Sequence, residues 1–382
     1  MNSKLPDFKD NLSQLIASAS VSSVNPAHDM SNAGMINLLG GWLDSLGFRT
    51  EVQSVGENGK QNLIATIGSG AGGLVLSGHS DTVPYDDIQW LSDPFKCTHK
   101  QNGFYGLGST DMKGFFAVAL EAIQQTDLTA LKAPLTLVAT ADEESTMSGA
   151  RFLAKSGLSQ GEAVIIGEPT DLKPVHMHKG ISMQAIRITG RSGHSSNPEL
   201  GNSALEAMIE VLGELQNFRA RLQSQYRNEG FAIAVPTMNL GCIHGGDNPN
   251  RICGACELQF DLRPLPGMAI DDLRSDITAL LEPIASRRGV TIDQKILFGG
   301  VEAFEEAADS DLVKNAARFS NAESMSVAFA TEAPFYKSLG KQTIILGPGS
   351  IDQAHQPNEF LPDNQIEPGI RIYRQFIEHY CL

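Results

Sequence analysis

The sequence predicts an α/β protein built as one domain interrupted by a second, smaller one. Two observations predict it. From Leu63 to Ile166, short apolar runs alternate with helical stretches, as in a mixed sheet with helices on both faces. Beyond Lys179-Gly180 the pattern changes to half-exposed strands around two long helices, and the first pattern resumes after residue 297. A chain of 382 residues exceeds one ordinary core, so two domains are expected. The expected division is 1–179 with 297–382, and an insert at 180–296.

The elements follow in order. Residues 7–20 and 29–46 read as helices; in the second, Met35, Leu38, Leu39, Trp42 and Leu46 fall at helical spacing. Leu63–Ile67, Leu74–Leu76, Leu135–Ala139 and Val164–Ile166 read as buried strands. Phe115–Gln125 and Ser148–Ser156 read as connecting helices. In the insert, Gln184–Thr189 alternates polar and apolar residues, as a half-exposed strand does. A long helix follows, with Leu205, Met208, Ile209, Leu212 and Leu215 on one stripe. Strands Thr237–Cys242 and Glu257–Leu262, helix Asp271–Ser286 and strand Thr291–Leu297 complete a β-α-β-β-α-β order, which suggests a split-βαβ (ferredoxin-like) domain. Ile344–Leu346 is another buried strand, and a last helix begins near Ile366.

Composition narrows the function. The net charge of -15 and the lack of a basic stripe argue against nucleic acid as a partner. An acidic field suits metal ions or a cationic substrate. The first residues carry no apolar signal-peptide core, and no apolar run approaches a membrane span. Five scattered cysteines, Cys97, Cys242, Cys253, Cys256 and Cys381, fit a reduced, cytoplasmic compartment.

The chemistry-bearing residues cluster at strand ends. His79 ends the run Leu74-Val-Leu-Ser-Gly, and Asp81 is placed to orient its imidazole. Asp111 opens a helix after a Gly-rich stretch. Glu143 and Glu144 follow the run Leu135–Ala139, Glu168 ends the next run, and His355 lies in the loop after Ile344–Leu346. In open α/β sheets, ligands collect at the carboxyl ends of strands. Two imidazoles and several carboxylates there suit a pair of divalent ions sharing one water. Adjacent Glu143 and Glu144 can point differently, so that one binds metal while the other moves a proton. Each residue alone reads equally as a turn or cap; their convergence carries the reading.

Other motifs lack the context their chemistry needs. Gly68-Ser-Gly-Ala-Gly-Gly73 matches G-x-G-x-x-G but joins two strands with no helix after it. Gly157-Leu-Ser-Gln-Gly161 leads from helix to strand, the reverse of a nucleophile elbow, so Ser159 reads as a loop residue. Cys253-Gly-Ala-Cys256 has no partner pair. His176 and His178 are explained by alternation along a strand.

Four segments carry a resemblance. Gly78-His-Ser-Asp-Thr-Val-Pro84, Gly108-Ser-Thr-Asp-Met-Lys-Gly114, Thr140-Ala-Asp-Glu-Glu144 and Ile165-Ile-Gly-Glu-Pro-Thr170, in this order and spacing, resemble the M20 family of dinuclear zinc amidohydrolases and peptidases. The resemblance implies a zinc-peptidase-like catalytic domain with an inserted dimerisation and lid domain, and hence a homodimer. It implies two divalent ions, zinc or cobalt. Asp111 would bridge them, His79 and Glu168 would complete one ligand set, and Glu144 and His355 the other. Glu143 would be the general base and acid toward a metal-bridging hydroxide, with Asp81 supporting His79. It also implies a cis peptide after Asp111. His194 would donate to the oxyanion across the dimer; the plain alternative is a cap or surface histidine.

The expected substrate is a small N-acyl amino acid. An Arg fork with an amide neighbour suits an α-carboxylate, which singles out Asn250 and Arg251. Backbone N–H groups of Gly347, Gly349 and Ser350 could meet the same carboxylate. Glu332 could face a cationic substrate side chain, against the alternative of a fold-supporting glutamate. A non-catalytic binding protein on the same fold would have lost ligands or Glu143, and all are present.

Overall fold

The computed structural model describes residues 5–56, 58–85, 88–158 and 161–382; Ser159 therefore lies outside the described residues. The chain divides into two compact units. One comprises Met1–His176, Glu306–Met325 and Thr331–Leu382; the other comprises Met177–Glu305 and Ser326–Ala330.

The first unit is built on a mixed sheet. Strands Leu135–Thr140, Leu74–His79, Ala163–Pro169 and Gln342–Gly347 lie side by side in that order, all parallel. Lys60–Ile67 and Arg49–Val55 extend one side antiparallel. The parallel strands are buried along nearly their whole length. That is why they read as unbroken apolar runs.

Helix Lys113–Gln124 is buried on almost every side, as an all-round apolar helix must be. Its Phe115 ring meets Tyr373 of helix Asp363–Cys381 edge-on at 5.6 Å. Leu12, Leu76, Phe116, Leu120, Ile165, Ile344 and Phe376 join them in one core. The peptide between Asp111 and Met112 is cis. Gly68–Gly73 joins two strands with no helix after it.

The second unit is a four-stranded antiparallel sheet in the order Thr237–Gly245, Ala255–Arg263, Ile181–Thr189, Thr291–Val301. Helices Ala204–Gln225 and Ile270–Arg288 pack their apolar faces with it around Ile186, Ile188, Leu258, Phe260 and Ile277. This is the split-βαβ arrangement. The stripe of the first helix sits differently from the expected one. Leu205 and Ile209 are exposed, and the buried line runs through Ala204, Ala207, Met208, Val211, Leu215, Phe218 and Leu222. Small Ala204 and Ala207 let the helix rotate onto the sheet, and size alone does not signal that choice. Cys253 and Cys256 are free thiols. Among the described residues no helix is long and apolar enough to cross a membrane.

Candidate active site

The carboxyl ends of the parallel strands bring the acidic and imidazole groups together. His79 is the last residue of its strand and is buried. Its Nε2 lies 3.0 Å from Asp111 Oδ1 and 3.9 Å from Glu168 Oε1. His355 Nε2 lies 3.0 Å from Glu144 Oε2 and 3.5 Å from Asp111 Oδ2. Asp111 thus presents one oxygen to each imidazole. Donor atoms of His79, Glu143 and Glu168 lie within 4.8 Å of one another, as do those of His79, Asp111 and Glu144. His79 is common to both groups: Glu143 joins it with Glu168, while Glu144 joins it with Asp111 and also meets His355.

Asp81 meets His79 in two ways and also reaches the next loop. The His79 Nδ1 partner is the Asp81 backbone carbonyl at 3.0 Å, while the Asp81 carboxylate stands 3.7 Å away. That carboxylate instead accepts the N–H of Glu143 at 3.2 Å and of Glu144 at 3.1 Å, one on each oxygen. It aims both glutamates by holding their backbone.

Sequence reasoning missed a second anchor of the same loop. Asp142 adopts a left-handed φ of 55°, an uncommon conformation for a non-glycine residue. Its carboxylate takes Lys60 Nζ at 2.7 Å, Ser22 Oγ at 2.9 Å and Ser148 Oγ at 3.1 Å. Glu359 was missed as well. It is buried, and its carboxylate accepts backbone N–H groups of Gly108, Thr110 and Asp111. The one available signal was its place four residues after His355.

The electrostatics report crowded acid. Burial pushes Glu143 and Glu168 well above the usual carboxylate range; the charge of Glu168 adds to the effect on Glu143, and Asp111 to that on Glu168, while His79 opposes both. Burial works against ionised Asp111 too, but its bonds to His355 and His79 win and hold it well below the usual range. Bonds to Asp111 and Glu144 raise His355 to about 10. Burial opposes the charged form of His79, yet Asp111, Glu168 and Asp81 together lift it well above the ordinary value. Clustered buried carboxylates need positive charge. An oxygen-rich donor set with two imidazoles and one carboxylate reaching both fits two divalent cations.

The remaining expected residues divide between the units. Glu332 is fully buried, beside Thr140, with no partner in good hydrogen-bond geometry; burial lifts it to about 7. A group meeting a substrate ammonium needs an accessible face, and Glu332 has none. Gly347 N–H already donates to Thr170 Oγ1 at 3.2 Å, and Gly349 N–H to Gln365 Oε1 at 2.6 Å. Neither is free for a substrate carboxylate, because this turn folds back onto its own unit. Ser350 bridges antiparallel to Thr170. In the second unit His194 bridges to Arg251, and Asn250 accepts the Ser195 N–H at 3.1 Å. His194, Asn250 and Arg251 are thus neighbours and exposed. His194 Nδ1 is held by Ser196 Oγ at 2.8 Å, and Arg251 pairs with Asp247. A cavity of about 660 Å³ beside them is lined by Ser195, Asn202, Asn248 and Arg251. His178 is buried and bonded to its neighbour's carbonyl, as a structural histidine would be.

The sequence pattern of peptidase family M20/M25/M40 matches residues 75–379. The chain belongs to that family. Among the family's members, acetylornithine deacetylase of Proteus mirabilis is 46% identical, covering 100% of this chain and 99% of its own. Acetylornithine deacetylase of Erwinia tasmaniensis is 47% identical, covering 100% of both. A metallo-carboxypeptidase of the M20 family from Sulfolobus solfataricus shares the fold at TM-score 0.75 and 18% identity, covering 98% of this chain and 99% of that one. A dinuclear metal-binding peptidase of the family from Bacillus subtilis aligns at TM-score 0.67 and 15% identity, covering 97% of each chain.

Proposed function

We propose that this chain is a metal-dependent amidohydrolase that cleaves N²-acetyl-L-ornithine to L-ornithine and acetate, a step of arginine biosynthesis. The reading is carried by one observation: the metal-type cluster stands intact in a chain nearly half identical, end to end, to acetylornithine deacetylases. His79, Glu168 and Asp111 would hold one ion, and Glu144, His355 and Asp111 a second, zinc or cobalt by donor type. Bound there, such ions lower the pKa of water and polarise an acyl carbonyl.

The protein's own groups do the rest. Glu143 takes the proton of the attacking water on its carboxylate and returns it to the leaving amine. Asp81 keeps Glu143 and Glu144 aimed through their N–H groups. His194 is assigned as a further donor to the oxyanion, and Asn250 with Arg251 as the α-carboxylate site. The reading includes a homodimer through the inserted unit and a cytoplasmic location. Glu332 is assigned a fold-supporting role in the buried layer beside Thr140.

The test is acetate release from N²-acetyl-L-ornithine by chelated protein, and again after zinc or cobalt is restored. Metal-dependent turnover that Glu143→Ala abolishes is the expected result. No turnover with ions bound would overturn the substrate and send the search to other N-acyl amino acids.

A further inference from the structure

We propose that Glu359 is a positioning residue that fixes Asp111 relative to His355 and so maintains the second ion's half of the site. The inference rests on the two-ion reading given above. Glu359 is 2% exposed. Its Oε1 accepts the N–H of Thr110 at 2.7 Å and of Asp111 at 2.8 Å, and its Oε2 accepts the N–H of Gly108 at 2.9 Å. The Glu359 backbone carbonyl takes the Gly106 N–H at 3.1 Å, and Thr110 Oγ1 donates to the Phe360 carbonyl at 2.6 Å. Strand Phe360–Pro362 then pairs antiparallel with Gly103–Tyr105.

The segment that ends at Asp111 and the segment that begins at His355 are therefore one hydrogen-bonded body, with the Glu359 carboxylate at its centre. On the His355 side the other anchor is Asn358, whose side chain accepts the Leu91 N–H at 2.8 Å and donates to the Gln89 carbonyl at 3.2 Å. Residues 355–358 form turns only, and both His355 and Asn358 have left-handed φ, 59° and 62°. Yet His355 Nε2 must stay near Asp111 Oδ2, now 3.5 Å away, for one ion to bind both. Groups that hold ligands from behind typically change metal affinity or activity by about 10- to 100-fold when removed.

All three partners of this carboxylate are N–H donors, so both of its oxygens must accept. Glu359→Gln keeps the side chain's size and leaves one accepting oxygen. Its amide NH₂ then faces the Gly108 N–H or the Thr110 and Asp111 pair. Glu359→Ala leaves all three N–H groups without an acceptor.

The experiment titrates metal-free, full-length wild type, Glu359→Gln and Glu359→Ala with zinc by calorimetry, with kinetics at saturating zinc alongside. Glu359→Gln carries the test if Glu359→Ala does not fold. Wild type should take two ions. In Glu359→Gln the weaker ion should bind about tenfold or more worse, with kcat reduced and KM within roughly twofold of wild type. Two-ion wild type with unchanged zinc affinities in Glu359→Gln would overturn the inference alone, even if the variant melts earlier. Wild type that takes no second ion would overturn the two-ion reading and this inference with it.

Discussion

Asp81→Asn separates two ways in which a carboxylate beside a ligating histidine can act. If its carboxylate served His79, the substitution would weaken ion binding. The geometry places it on the backbone of Glu143 and Glu144 instead, with His79 satisfied by the Asp81 carbonyl. Asparagine preserves that carbonyl and one accepting oxygen, and turns an NH₂ toward the other N–H. Asp81 is 1% exposed, so no water replaces the lost acceptor. One unsatisfied buried N–H costs about 1–3 kcal/mol. If the loss falls on the placement of the general base, kcat drops roughly 10- to 100-fold. The assay is acetate release against zinc concentration, with zinc affinity measured separately. Zinc affinity falls where the lost acceptor is that of the Glu144 N–H, since Glu144 is assigned as a ligand, whereas kcat should remain low even at saturating zinc. Weakened zinc binding with kcat restored at saturation would refute the reasoning and return the Asp81 carboxylate to His79.

Glu143→Gln should lower kcat by about 10²- to 10⁴-fold while ion stoichiometry is kept, as checked by calorimetry; lost ions would make Glu143 a ligand. His194→Ala should lower kcat by about 10²-fold or more, and near-normal turnover would remove it from the reaction. His178 gives a stability signal. Burial lowers its pKa to about 4, so between that value and about 6.5 the unfolded chain binds the extra proton. Its contribution to stability is present above pH 6.5 and lost as pH falls toward 4. Denaturant melts of wild type should lose up to about 3 kcal/mol across that window relative to His178→Phe, and parallel curves would refute the assignment.

The fold was legible where burial is two-sided. Strands such as Leu135–Thr140 and Ala163–Pro169 are covered on both faces, so their sequences are apolar throughout. Arg49–Val55 was not legible. It is an edge strand with most residues at least partly exposed, and its Glu51 and Gln53 carry no periodic signal. The small sheet of Thr98–Lys100, Gly103–Tyr105 and Phe360–Pro362 also escaped, since three-residue strands are shorter than any period. Helix Ala333–Ser338, six residues long, is hidden for the same reason.

The site divides along a similar line. His79, Glu144 and Glu168 were legible as candidate ligands because such a group combines a particular side-chain chemistry with a place at a strand end, and both are local properties. Asp142, Lys60 and Glu359 act at one remove. Glu359 reaches an amide 248 residues away in the chain, and Lys60 answers a charge in a different loop. A backbone N–H has no residue identity, so the sequence around Asp111 gives no sign that it needs an acceptor. The same holds for the second task of Asp81: its spacing from His79 points to the imidazole and not to the amides of Glu143 and Glu144. Two residues after a ligand, the carboxylate and the carbonyl can both reach the imidazole. Only the fold decides which one does, because the amides of Glu143 and Glu144 compete for the carboxylate and take it.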